Sequence, residues 1–248
     1  MKYKALLTSL LLFLTTALAA QQGAELRRLI DLPTAGTLDR GSYAVDLRMF
    51  GNGGLLGRVA VGITPRFMFG ISYGGENIIG EGDIDWNPRP GIVAKLRLID
   101  ENFAIPAITI GFDSQGYGPY SDEFDRYETK SRGLYAVASK NYAILLNLGL
   151  HAGLNFSLEN DDDDEEVDFF LGADLSLNRE IRAFVEYDVG TNDNLNDALF
   201  GSGQGYFNGG AQWNFSDRLF LQVNLKNIFQ NGANDLTREF KLGYFEFF

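Results

Sequence analysis

From residue 142 to residue 158 every second residue is apolar: Tyr142, Ile144, Leu146, Leu148, Leu150, Ala152, Leu154, Phe156 and Leu158. Between them lie Ala143, Leu145, Asn147, Gly149, His151, Gly153, Asn155 and Ser157. Successive side chains of a strand point to opposite faces, so this period predicts a ribbon with one apolar side and one small, mostly polar side. At roughly 3.3 Å per residue such a ribbon would run about 56 Å, against about 17–20 Å for strands of soluble proteins. The alternation recurs. On 180–189, Ile181, Ala183, Val185 and Tyr187 alternate with Arg182, Phe184, Glu186 and Asp188. On 218–227, Leu219, Leu221, Val223 and Leu225 alternate with Phe220, Gln222, Asn224 and Lys226. Twelve segments of this kind are predicted, at 41–50, 55–64, 66–74, 90–99, 103–113, 130–140, 142–158, 167–178, 180–189, 204–215, 218–227 and 237–248.

The connections are sorted by length. Tight turns fall near Thr64-Pro65-Arg66, Asp100-Glu101-Asn102, Asn141, Arg179 and Ser216-Asp217. Long polar connections, at 75–89, 114–129, 159–166, 190–203 and 228–236, lie between them; the first, Gly51 to Gly54, is short. Turns at one end and loops at the other, with an even strand count, is the asymmetry of an outer-membrane barrel. Aromatics of the apolar set sit near strand ends, at Tyr43, Phe67, Tyr73, Tyr142, Phe156, Phe207, Trp213, Phe215 and Phe248, where two girdles would meet the headgroups. The pattern therefore predicts an all-β chain, a single antiparallel up-and-down transmembrane β-barrel of about 12 strands over 41–248. Closure leaves no unpaired strand edge in lipid, and outer-membrane lipid becomes the partner of the apolar face.

Composition adds the compartment. Lys2 and Lys4, the apolar run from Ala5 to Thr16 and the Ala17-Leu18-Ala19 site read as a secretory signal peptide over 1–19, cut after Ala19. The formal charge is −12, and an acidic chain with no basic stripe argues against a nucleic-acid partner. There is no cysteine, so strand pairing and packing must hold the fold. No cofactor motif is present: a phosphate-binding glycine loop between strand and helix is missing.

Function is sought on the inward set. By alternation it holds the lumen-lining candidates Arg48, Arg58, Lys95, Arg97, Asp113, His151, Asp174, Arg182, Glu186, Lys226 and Lys241. These charges predict either a polar channel that selects a solute or an ion-pair network that fills a narrow barrel. Inward glycines, Gly62, Gly111, Gly172 and Gly210 among them, leave room for a lumen or for large neighbours. His151 is the only histidine. Its same-face neighbours Asn155 and Ser157 lie too far along the strand for a nucleophile and base, so a lumen-packing role is expected and no enzyme. Asp161 to Glu166 lack the spacing of a calcium loop and are expected to form a solvated, flexible acidic tip. The loop DSQGYGPY (113–120) offers surface contact or partial occlusion of the lumen. Residues 20–40 precede the barrel as a periplasmic N-terminal arm or a plug, with Leu26, Leu29, Ile30 and Leu32 able to form one or two helical turns before Pro33.

Three stretches carry a resemblance. The tail, ending in Phe248 with Phe240, Leu242 and Tyr244 at alternate positions, resembles the C-terminal strand signal of outer-membrane proteins, departing from it at Glu246. That resemblance implies the barrel-assembly machinery as a partner. LIDLPTAGTLDRGS (29–42), and IPAITIGFDS (105–114) followed by LYAVASKNY (134–142), are similar to segments of the YjbH-like outer-membrane proteins associated with exopolysaccharide production. The resemblance implies a bacterial outer-membrane barrel linked to secreted polysaccharide, of which this chain would be a short single-barrel relative. The expected function is passage of a small polar solute or polysaccharide, against a non-conducting structural or adhesion barrel acting through acidic loops.

Overall fold

A computed structural model describes residues 25–143, 146–194, 201, 203–231 and 236–248. The expected signal peptide, with its cleavage after Ala19, lies outside the described residues, as do Ile144 and Leu145. Among the described residues the strands are β1 (Ser42–Phe50), β2 (Gly54–Thr64), β3 (Phe67–Glu76), β4 (Asp85–Trp86), β5 (Gly91–Ile99), β6 (Ala107–Asp113), β7 (Tyr117–Ser121) and β8 (Arg126–Thr129). They continue with β9 (Gly133–Ala143), β10 (Asn147–Phe156), β11 (Asp168–Ser176), β12 (Ile181–Asp188), β13 (Tyr206–Asn214), β14 (Leu219–Lys226) and β15 (Thr237–Phe247).

Twelve of these close into an antiparallel barrel in which each strand pairs with its neighbours in the sequence of the barrel, and β1 meets β15 from Ser42↔Phe247 to Met49↔Phe240. The short strand β4 pairs antiparallel with the end of β3, while β7 and β8 form a hairpin of their own inside the loop after β6. The alternation decides which way each side chain faces. On β12 Phe184 and Glu186 are buried while Val185 is exposed; on β14 Gln222 and Asn224 are buried while Val223 and Leu225 are exposed. The exposed apolar residues form the lipid-facing belt. Its rims are aromatic: Tyr43 stacks on Phe248 and Trp213 meets Phe215 at the turn end, while Tyr73 stacks on Trp86 and Phe207 on Phe229 at the loop end. Glu246, the departure in the tail, is paired with Arg218 and accepts the Tyr244 hydroxyl at 2.8 Å.

The ribbon over 142–158 is not one strand. Ala143 ends β9, the chain reverses between Ala143 and Asn147, and Leu148 lies opposite Tyr142. Residues facing each other across this hairpin have the same parity, so the apolar alternation passes through the turn unbroken. The expected turn at Asn141 is displaced by that continuity. Likewise β6 begins at Ala107 rather than 103, and the connection before it includes an Asx-type turn in which Asn102 Oδ1 accepts the Ala104 and Ile105 amides at 2.9 and 3.0 Å.

Candidate functional site

Residues 25–40 occupy the lumen. The segment is not helical: Arg28 bridges to Pro33, and the Leu29 amide donates to the Leu32 carbonyl at 3.0 Å, making a narrow reversed loop with residues 29–32 at its tip. Proline at 33 has no amide to continue a helix, and the tip satisfies its amides elsewhere. The Glu186 carboxylate on β12 accepts the successive amides of Ile30, Asp31 and Leu32, each at about 3.0 Å. Three consecutive N–H groups converging on one anion form a nest. Asn208 donates to the same carboxylate at 2.8 Å. Leu29 and Ile30 pack on Phe184; Leu32 and Ala35 pack on Ala107, Tyr135, Val137 and Phe170; Leu38 joins Ala44, Ala60, Met68 and Phe245. The inward glycines make the room: a side chain at Gly172 would run into Leu29, and one at Gly62 into the backbone of Asp39.

Charge fixes the tip as well. Asp31, 2% exposed, receives Arg48 at 2.7 Å and Lys226 at 2.8 Å, and Glu239 pairs with the same two cations. This is a closed quartet of two acids and two bases. Lower on the segment, Lys95 donates to the Thr34 and Gly36 carbonyls at 3.0 and 3.3 Å, Arg97 to the Ala35 carbonyl at 3.1 Å, and Thr109 to that carbonyl at 2.9 Å. Gln222 donates to the Leu29 carbonyl at 3.0 Å.

The loop end is covered from outside. Tyr117, from the hairpin β7–β8, is buried with its ring against Arg48, Lys226 and Arg28 at 4.2, 5.0 and 5.9 Å. DSQGYGPY thus turns into the barrel. The acidic tip is likewise tied down rather than solvated along its whole length: Asp162 holds Lys130 at 2.7 Å and pairs with Arg126, which reaches Asp193 at 3.0 Å, and Asp164 accepts the Asn194 amide at 3.0 Å. Loop cations were its missing signal, because the acidic run alone does not show that Arg126 and Lys130 face it. Burial works against the Asp162 carboxylate, but Lys130 and Arg126 outweigh it and hold its pKa below the ordinary value. Burial pushes Glu159 and Glu128 the other way, above the usual carboxylate range.

All eleven sequence-derived candidates point into the lumen, and they divide in two. Arg48, Glu186 and Lys226 grip the tip of the plug. The others reach its sides or line a cavity of about 1260 Å³ that lies beside the plug and is mouthed by the turn residues Asp100, Asn178 and Asp217. The described residues lining that cavity include ten Lys and Arg against six Asp and Glu, a reversal of the charge balance of the chain. Asp113 pairs with Arg28 and lies 3.8 Å from Arg58.

His151 has partners that its own strand does not supply. Its Nδ1 lies 2.7 Å from Ser139 Oγ, directly across on β9, and its Nε2 lies 2.9 Å from Asp174 Oδ1 on β11. Ser, His and Asp in hydrogen-bonded series have the connectivity of a nucleophile, a base and its orienter. Here the serine oxygen also accepts the Ala35 amide at 2.8 Å, so the series ends on the plug and holds it.

No family model and no curated protein matches the chain. Among solved structures it is similar to the KdgM porin, with a TM-score of 0.47 and 10% identity over 84% of this chain and 99% of that one; the same porin, described in complex with a disordered oligogalacturonate, gives 0.47 and 9%. It is also similar to the COG4313 outer membrane channel from Pseudomonas putida F1, with a TM-score of 0.44 and 13% identity over 85% of this chain and 97% of that one.

Proposed function

We propose that the protein is an outer-membrane channel for a small polar solute, held nearly closed by its own N-terminal segment. The observation that carries this reading is the cavity. It enters from the turn end, runs beside the plug as far as Arg48, Leu56 and Tyr117, and those three residues also line a second void of about 10 Å³ that continues to Asn87 and Gln115 under the loops. A void of that size holds about one water, and the side chains of Arg48, Leu56 and Tyr117 stand between it and the cavity. Side chains at a constriction can swing; Tyr117 belongs to a loop hairpin and Arg28 to the plug.

The stretches that resemble YjbH-like proteins lie on the plug and on the wall beside it. The stretch 29–42 is the plug and the start of β1, and 105–114 with 134–142 are β6 and β9, the wall that holds it through Thr109 and Ser139. A link to secreted polysaccharide rests on that resemblance.

A second reading is favoured by the density of contacts on the plug: a barrel that never conducts and works through its outside loops. Single-channel recording of the refolded mature protein in planar bilayers separates the two. The channel reading expects small reproducible steps whose ion selectivity shifts toward cations on Arg97→Glu. Silence from protein shown to be folded by heat-modifiable migration supports the closed barrel.

A further inference from the structure

The cations of the cavity are not all used by the plug. Midway along the barrel, three neighbouring strands and the plug bring Lys241 on β15, Arg58 on β2 and Arg27 around the one carboxylate of Asp46 on β1. Asp46 does not collapse onto any of them: Arg27 stays at 3.6 Å, and the Asp46 Oδ1 atom has no hydrogen-bond partner. Arg58 is paired only at 3.8 Å with Asp113, which is already held by Arg28, and its buried Nε and Nη2 atoms have no hydrogen-bond partner. Among the described residues Lys241 meets the Phe220 ring, 5.4 Å away, makes no hydrogen bond, and lines the cavity. A buried guanidinium with unmet donors is costly unless a ligand or water completes it. Arg27, Arg28, Arg58 and Lys241 face two acids, Asp46 and Asp113, which leaves two positive charges uncompensated beside a cavity large enough for an organic solute.

We propose that Arg58, Lys241 and Arg27 form a binding site for a small anionic solute bearing a carboxylate or phosphate group, entered from the turn end. The Arg58 fork supplies paired N–H donors of the kind that match the two oxygens of such a group, and Lys241 adds a compact charge beside it. Arg27 belongs to the plug, so an anion held here touches both the plug and the wall. The site stands without conduction; that its occupant is the permeating solute rests on the channel reading.

The test is calorimetric titration of the intact refolded mature protein with glucuronate, with inorganic phosphate and with glucose. The expected result is saturable binding of glucuronate, phosphate or both at about millimolar Kd, and none of glucose. Arg58→Gln with Lys241→Gln is expected to weaken binding at least about tenfold. Because that double variant risks misfolding, Asp46→Asn is the companion: it removes the competing carboxylate and is expected to tighten binding several-fold, a gain that misfolding cannot imitate. Equal binding of glucose and glucuronate, no binding of either anion, or Asp46→Asn leaving the affinity unchanged would overturn the site. A protein that binds glucuronate yet stays silent in bilayers keeps the site and loses the channel.

Discussion

The two halves of the lumen are built from the same residue types and treat them differently. Toward the loops, Asp31 holds both Arg48 and Lys226 at hydrogen-bond distance, Glu239 holds Arg48 and lies 3.6 Å from Lys226, and Glu186 takes three backbone amides. From mid-barrel toward the turns, Arg27 stays 3.6 Å from Asp46, and Arg58 stays 3.8 Å from Asp113, with Lys241 beside them on the cavity wall. Matched charges at short range fix a geometry. Unmatched charges at long range leave it open for something else. The first half is a lock and the second a vestibule, and the difference lies in stoichiometry rather than in composition.

The comparison is broken most severely at the lock. Glu186→Ala would orphan three buried amides, about 3–6 kcal/mol against seating the plug. Residues 25–40 should then become accessible to protease while the barrel keeps its heat-modifiable migration. Asp31→Asn removes the charge shared by Arg48 and Lys226, with Glu239 left to hold both, and should cost about 3 kcal/mol by the same assay. If Arg58→Gln loosened the plug as much as Asp31→Asn, the division into lock and vestibule would be wrong. Ser139→Ala cuts the series Ala35, Ser139, His151, Asp174 and should cost about 1 kcal/mol of plug seating. Ester hydrolysis that disappears in the same variant would instead give that series a catalytic role.

The smallest effect is expected at the cap. Glu159 accepts the Tyr127 and Ser131 amides at 3.2 Å, and burial raises its pKa and that of Glu128. The closed cap therefore binds more protons than the open one, so its stability falls as pH rises through the window above the ordinary carboxylate range. Asp162 has the opposite sign, but its lowered pKa confines its contribution to lower pH. Hydrogen exchange over 114–132, corrected for intrinsic rates, should show slightly stronger protection near pH 5 than at pH 7; weaker protection at pH 5 would contradict the assignment.

Legibility in the sequence followed the physics of each signal. Period two and the sorting of turns from loops are local, and they announced the barrel. Inward parity put the eleven candidates on the inner face of the barrel, without saying which would grip a plug and which would line a cavity. Parity could not locate the β9–β10 turn, because facing residues of the same parity carry the alternation around it. Nor could it pair residues across strands: the partners of His151 sit on β9 and β11, whereas the sequence offered only Asn155 and Ser157 on its own strand. The plug was half legible: the sequence left residues 20–40 open between a periplasmic arm and a plug, and the apolar run of Leu29, Ile30 and Leu32 did not decide between them. The helix suggested by their spacing gave way because Glu186 captures the amides a helix would have used.

The most direct test of the account is single-channel conductance of the mature protein with and without residues 20–40. Removing them should leave a folded barrel and raise the step conductance several-fold, with selectivity then set by Arg97 and Lys226. Steps of unchanged size, or continued silence from a folded barrel, would show that the N-terminal segment does not control passage.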